Sequence, residues 1–192
     1  MNAFGENRVQ EAVTKYSDIA AEVELHLVGH LQSNKARLVP GLFTHVDSID
    51  SLDIATALSR RCEGAGVACR ILLQFNSSGE ETKSGYATEQ LLLDDASAIA
   101  ALPGVRLRGV MTIGPFTADV ERIRGAFRRT RMLFDDLRAL LPSEAIDTLS
   151  MGMSDDYRLA VEEGATEVRL GTALFGQRGS PANIDEPGEV HP

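Results

Sequence analysis

Apolar residues along the chain switch repeatedly between short, nearly continuous runs and a helical period of 3.6. The runs at 23–29 (VELHLVG), 43–49 (FTHVDSI), 67–76 (VACRILLQFN), 105–113 (VRLRGVMTI), 146–151 and 167–175 predict six strands, and a short seventh fits at 2–5. The helical period predicts a short helix at 33–39 and longer ones at 51–63, 87–102, 118–141 and 154–163. In the second, Leu52, Ala55, Leu58 and Cys62 share one face, and Gly64 and Gly66 close it. In the fourth, Val120, Ile123, Phe127, Phe134, Leu137 and Leu141 form one stripe. The 67–76 run is apolar on both parities, as a strand covered on both faces requires. Alternating strands and helices imply a parallel sheet in a single α/β domain over residues 1–178. The polar, Gly- and Pro-rich segment 179–192 is expected to be a disordered tail. A closed (β/α)8 barrel typically takes ~250 residues, with ~200 near its lower limit. By strand count, an open doubly wound sheet and a barrel are equally compatible with the pattern.

Charge narrows the function classes. The net charge is −9, from 28 Asp and Glu against 19 Lys and Arg, which argues against a nucleic-acid binder, since that needs a basic face. No apolar run approaches the ~20 residues of a membrane span, and no basic-then-apolar leader pattern stands out, so the expected location is the cytoplasm. Cys62 and Cys69 fit no zinc spacing and are expected to be plain thiols.

The candidate chemistry gathers at the predicted strand ends, where parallel β/α proteins bind ligands. Arg169 lies inside an otherwise apolar strand, a costly position unless the guanidinium is paired with a carboxylate or an anion. Ser150, Gly152, Gly171 and Thr172 end the last two strands and supply hydroxyls and close backbone approach for a phosphate. Ser154, Asp155 and Asp156 cap the following helix, and the two aspartates would repel phosphate. Asn7 follows the short first strand as a helix cap or a site residue. Gln74 and Asn76 share a parity at the end of the 67–76 strand, which aims both at one mouth of the sheet. Met111 is expected to pack in the core or beside a ligand. His26, His30 and His45 show no partner for a metal or a catalytic triad, and there is no GxGxxG and no nucleophile elbow.

Four segments carry a family resemblance: Phe4-Gly5-Glu6-Asn7, Gly29-His30-Leu31-Gln32-Ser33-Asn34-Lys35, the loop 77–85 (SSGEETKSG), and above all 147–176 (DTLSMGMSDDYRLAVEEGATEVRLGTALFG). They resemble the pyridoxal-phosphate homeostasis proteins, which share the barrel of the alanine racemase N-terminal domain. The resemblance runs from Phe4 to about Arg178. It implies an α/β fold of the (β/α)8 TIM-barrel type, pyridoxal 5'-phosphate as cofactor, and a non-enzymatic role in cofactor supply. It places Asn7 in the cofactor site, Arg169 opposite the pyridine nitrogen and Asn34 and Lys35 at the pocket rim, and it matches Lys83 to the family's lysine in the loop 77–85. It also implies a covalent link to a lysine ahead of the FGEN segment. Lys15, Lys35 and Lys83 fall elsewhere, so the expectation is a barrel lacking its first β/α unit and that link, with open edges that favour self-association. Two further classes are an amino-acid racemase on the same barrel, and an inert or purely interacting piece of one.

Overall fold

The computed structural model describes residues 3–16, 22–80 and 83–176. Strands and helices alternate: β1 (Ala3–Glu6), α1 (Val9–Tyr16), β2 (Glu24–Leu27), a 3-10 helix (Ser33–Leu38), β3 (His45–Ile49), α2 (Leu52–Gly64), β4 (Cys69–Phe75), α3 (Glu89–Ala100), β5 (Val105–Thr112), α4 (Val120–Leu140), β6 (Thr148–Met153), α5 (Tyr157–Glu162), β7 (Glu167–Arg169) and α6 (Thr172–Phe175). The strands pair in parallel and in sequence order, from β1 to β7. The expected tail and Asn2 lie outside the described residues.

The sheet is curled into a barrel wall. Ligand atoms of His26 on β2, Asp47 on β3 and Glu167 on β7 lie within 4.8 Å of one another. In a flat sheet, strands ~4.8 Å apart would hold β3 and β7 roughly 19 Å from each other. This closes the choice between open sheet and barrel: seven parallel strands form a nearly closed TIM-like barrel, with β1 and β7 at the two ends of the order.

Local chemistry sets the helix boundaries. Ser51 Oγ accepts from the Ile54 N–H at 3.4 Å, and Thr88 Oγ1 from the Leu91 N–H at 3.2 Å. Asp119 accepts from the N–H groups of Glu121 and Arg122 at 3.0 and 3.2 Å. Each cap satisfies donors that the first turn leaves free, a contribution of about 1 kcal/mol. Helix α4 buries Ile123, Phe127, Phe134 and Leu137 of the predicted stripe, together with Ala126, Thr130 and Leu133. Val120 is exposed instead, because the packed face begins one turn later, at Ile123. The α4 arginines reach both neighbours: Arg129 pairs with Glu89 at the start of α3, while Arg124 pairs with Glu162 and Glu163 and Arg128 with Glu163 at the end of α5.

The last strand is shorter than its apolar pattern predicts. Pairing stops at Arg169, and the chain turns into α6 at Thr172. Ser154 Oγ accepts from the N–H groups of Gly171 and Ala173, both at 3.2 Å, so this backbone is held by the β6–α5 loop rather than by a sheet neighbour. Among the described residues, no helix is long and apolar enough to cross a membrane. Cys62 and Cys69 are buried free thiols.

Candidate functional site

Arg169 ties three strands together at their C-terminal ends. Its Nη1 donates to Ser150 Oγ on β6 at 2.6 Å, and its Nη2 donates to the Thr112 carbonyl on β5 at 2.7 Å. Burial pulls the guanidinium pKa down, and the charges of Asp47, Glu167 and Asp156 push it back. It still has no accessible neutral form, and these two bonds use two of its five N–H donors among the described residues. Met111 is fully buried and lies in register between Gln74 and Ser150, so it forms the wall beside this clamp.

Residues singled out from the sequence separate into groups. Asn7 and Asn76 line a cavity of about 200 Å³ together with Gly29, His30, Gln74 and Lys83. That is below the ~300–1,000 Å³ of typical drug-sized pockets. The side chains of Gln74 and Asn76 hold the loop above the cavity: Gln74 donates to the Ser84 carbonyl at 3.0 Å, and Asn76 to the carbonyls of Glu80 and Lys83 at 2.8 and 3.3 Å. Lys83 Nζ reaches Glu80 at 2.8 Å and the Gly114 carbonyl at 3.4 Å. Ser150 is buried under Arg169. Gly171 and Thr172 are exposed past the end of β7. The reason for Gly152 is packing: its φ is +94°, and a Cβ there would sit 2.5 Å from Ala160 Cβ and 3.0 Å from Tyr157 Cα.

The histidines have partners that the sequence did not suggest. His26 Nδ1 lies 2.9 Å from Asp47 Oδ2, and the ring stacks on His45 at 3.9 Å and 5°. Burial alone would lower the pKa of His26, but the hydrogen bond and charge of Asp47 outweigh it and raise it. His45 behaves oppositely. Thr44 Oγ1 donates to the Leu25 carbonyl at 3.2 Å, so it accepts from His45 Nδ1 at 2.9 Å. His45 Nε2 then faces Arg70 Nη1 at 3.5 Å. Burial, helped by His26, lowers the His45 pKa to about 4, and the ring is neutral at pH 7. Glu167 is pushed up by burial and then by Asp47. His30 pairs with Asp50 at 3.0 Å on the cavity side. Neighbouring strands bring His26 and Asp47 together across 21 residues of chain, a distance over which no local spacing rule operates.

Residues 1–179 match the family model described as alanine racemase, N-terminal domain. The chain belongs to that family. Within it, the chain is 45% identical to the pyridoxal phosphate homeostasis protein of Pseudomonas aeruginosa over 183 residues, 94% of this chain and 77% of that one. It is 42% identical to the protein of the same name from Haemophilus influenzae over 179 residues, 92% of this chain and 75% of that one. The chain thus spans about three quarters of the length of these relatives. PipY of Synechococcus elongatus superposes with a TM-score of 0.84 without pyridoxal phosphate and 0.81 with it bound, at 36% identity, covering 90% of this chain and 81% of PipY. Alanine racemase of Clostridium difficile, at 14% identity and a TM-score of 0.73, covers 94% of this chain and 46% of its own and shares the fold alone. For this alanine racemase N-terminal-domain member, the clamp at Arg169 and the cavity at Asn7 both lie where strands end, the face on which parallel β/α barrels place ligands.

Proposed function

We propose that this chain binds pyridoxal 5'-phosphate in the cytoplasm and serves the supply of that cofactor, without catalysing a reaction of its own. The observation that carries this reading is Arg169, held between Ser150 Oγ and the Thr112 carbonyl with N–H donors to spare. Those donors suit the cofactor's acceptor nitrogen, and an arginine does not yield a proton to it. Bound pyridoxal phosphate supplies an electron-withdrawing ring, whose pull is weak while its nitrogen stays unprotonated. That property suits a carrier more than a racemase.

Ser150 positions the guanidinium, and Met111 walls the clamp on its buried side. Thr172 offers a hydroxyl for the phosphate, and Gly171, whose N–H is held by Ser154 Oγ, contributes space: a Cβ there would meet nothing within 4 Å, so there is room for an anion. Asn7 and Asn76 bound the neighbouring cavity. Gly152 shapes this end of the site by letting α5 close on β6. An acidic chain of this kind is not expected to bind nucleic acid or a membrane. Strands β1 and β7, at the ends of the sheet order, favour pairing with another copy of the chain.

Titration with pyridoxal phosphate, followed by absorbance and by retention through a desalting column, tests the reading. A saturable spectral change, competed by inorganic phosphate and accompanied by no deuterium exchange at the α-position of amino acids, is expected. Absence of any saturable change overturns cofactor binding, and sustained α-proton exchange overturns the non-catalytic role. Borohydride reduction and peptide mapping should find no stoichiometric adduct at Lys15, Lys35 or Lys83. Gel filtration should show more than the monomer.

A further inference from the structure

We propose that His26, Asp47 and Glu167 form a site for one divalent transition ion of the manganese-to-zinc range inside the barrel. The site lies one layer below Arg169, because Glu167 precedes Arg169 by two residues on β7 and so shares its face. Three strands contribute one donor each, and the donor atoms are mutually within 4.8 Å. His26 Nδ1 and Asp47 Oδ2 are hydrogen-bonded at 2.9 Å and would need to open only to ~3.4 Å to bind one tetrahedral ion at about 2.1 Å.

A second observation points to a cation. Asp47 is 0% exposed, and its Oδ1 has no hydrogen-bond partner among the described residues. A buried carboxylate oxygen without a donor is expensive, and such groups in native structures call for a water or an ion. Arg169 does not fill the gap, because its two hydrogen bonds go to Ser150 and Thr112. His45 stacks on His26 at 3.9 Å, and its Nε2 is turned toward Arg70 Nη1. Asp47 and Glu167 bring two carboxylates to the cluster, and no side chain donates to Asp47 Oδ1 among the described residues. Glu24, the other acid near His26, is paired with Arg70. The three donors, two carboxylates and one imidazole, have a formal charge of −2 that one divalent ion balances. Metal binding needs a free lone pair on His26 Nδ1: an imidazolium releases its Nδ1 proton to solvent and keeps the one on Nε2, leaving a neutral ring.

The donor set selects the ion class. One imidazole nitrogen with two carboxylate oxygens suits first-row divalent ions, whereas magnesium and calcium favour oxygen alone. The stacked His45 fixes the His26 ring plane, as the outer partners of metal ligands commonly do. Glu167 is only half-buried, and it gives the ion a way in.

The test uses the whole chain, stripped with chelator and without pyridoxal phosphate, titrated calorimetrically with Zn²⁺ and separately with Mn²⁺, and with Co²⁺ as an absorbance probe. One equivalent should bind, with visible cobalt bands. A hundredfold excess over Kd should raise Tm by ~5–10 °C. Glu167→Gln, at a half-exposed position that should preserve the fold, is expected to weaken binding at least tenfold, as is Asp47→Asn. Thr172→Val should leave metal binding unchanged, which separates this site from the cofactor site. The absence of saturable binding by all three ions overturns the proposal, as does unaltered affinity in Glu167→Gln. An Asp47→Asn variant that is more stable than the parent while neither binds metal would overturn it too, by showing that the orphan oxygen takes only a proton.

Discussion

Gly152→Ala separates two roles for a glycine that ends a strand beside a suspected phosphate site. If the glycine exists to admit an anion, a methyl group there should weaken ligand binding and leave folding intact. The geometry argues for the other role. The residue has φ +94°, where an L side chain is strained by about 1–2 kcal/mol. The new Cβ would also lie 2.5 Å from Ala160 Cβ and 3.0 Å from Tyr157 Cα, on the first turns of α5. Neither neighbour is the tip of a flexible side chain, so α5 must shift as a unit. Overpacking of that kind costs typically 1–3 kcal/mol. The sum, roughly 2–5 kcal/mol, is a large part of the 5–15 kcal/mol that stabilises an ordinary domain. In a chain of this size it corresponds to a Tm lower by about 4–20 °C. Urea denaturation followed by far-UV circular dichroism, on parent and variant at pH 7, measures it. Loss of stability by less than 1 kcal/mol, with a clear loss of phosphate or pyridoxal phosphate affinity, would refute the packing argument and restore the anion role.

Other expectations concern the clamp, the cradle and the helical ring. Ser150→Ala removes the acceptor of Arg169 Nη1, and the stranded donor should cost about 1–3 kcal/mol in denaturant titrations; no measurable loss would mean the guanidinium finds another partner. Thr172→Val keeps shape but deletes a hydroxyl, and pyridoxal phosphate should bind roughly tenfold more weakly; unchanged affinity would place the phosphate elsewhere. Arg124, and then Arg128, hold the Glu163 carboxyl below its usual pKa. A depressed carboxyl stabilises the fold above its unfolded value and loses that contribution as pH falls through the folded one. Glu163→Gln should therefore be less stable than the parent at pH 7, and the gap should close as pH falls below the usual carboxylate range; a gap independent of pH would contradict the assignment.

Residues that act on their own neighbours were legible in the sequence. The apolar period placed the starts of α2, α3 and α4 within two residues, because a helical stripe is set by neighbours three and four apart. The capping expected of Ser154, Asp155 and Asp156 fails, however: Ser154 Oγ turns to Gly171 and Ala173 instead. The β4 run is recognisable as a covered strand because both its faces are apolar. The four motif segments carry the family on their residues alone. What stayed hidden depends on contacts between distant parts of the chain. The run from Val168 to Phe175 has the composition of a strand, yet it stops at Arg169 because Ser154, from the preceding loop, binds the backbone at Gly171 and Ala173. Gly152 looks like a door for an anion until α5 is seen against it. His26 and Asp47 face each other only once β2 and β3 lie side by side in a curled sheet. Val120 matches the α4 stripe by period, but it lies a turn ahead of the packed face.

The arginines of α4 imply an uneven response to salt. Helix α3 is fastened to β4 and β5 by buried side chains as well as by the Arg129–Glu89 pair, whereas α5 is six residues long and buries only Ala160. For that short helix, the contacts of Arg124 and Arg128 with Glu162 and Glu163 are a larger share of what holds it in place. Ion pairs at the surface are screened over ~3 Å at 1 M salt, while apolar packing is not weakened in that way. Raising ionic strength should therefore loosen the molecule from one side. Amide exchange would quicken first in α5 and in Glu167–Arg169 behind it, while β3, β4 and β5 keep their protection. The barrel would then open along a defined seam, at the strand that carries Arg169, before it unfolds as a whole.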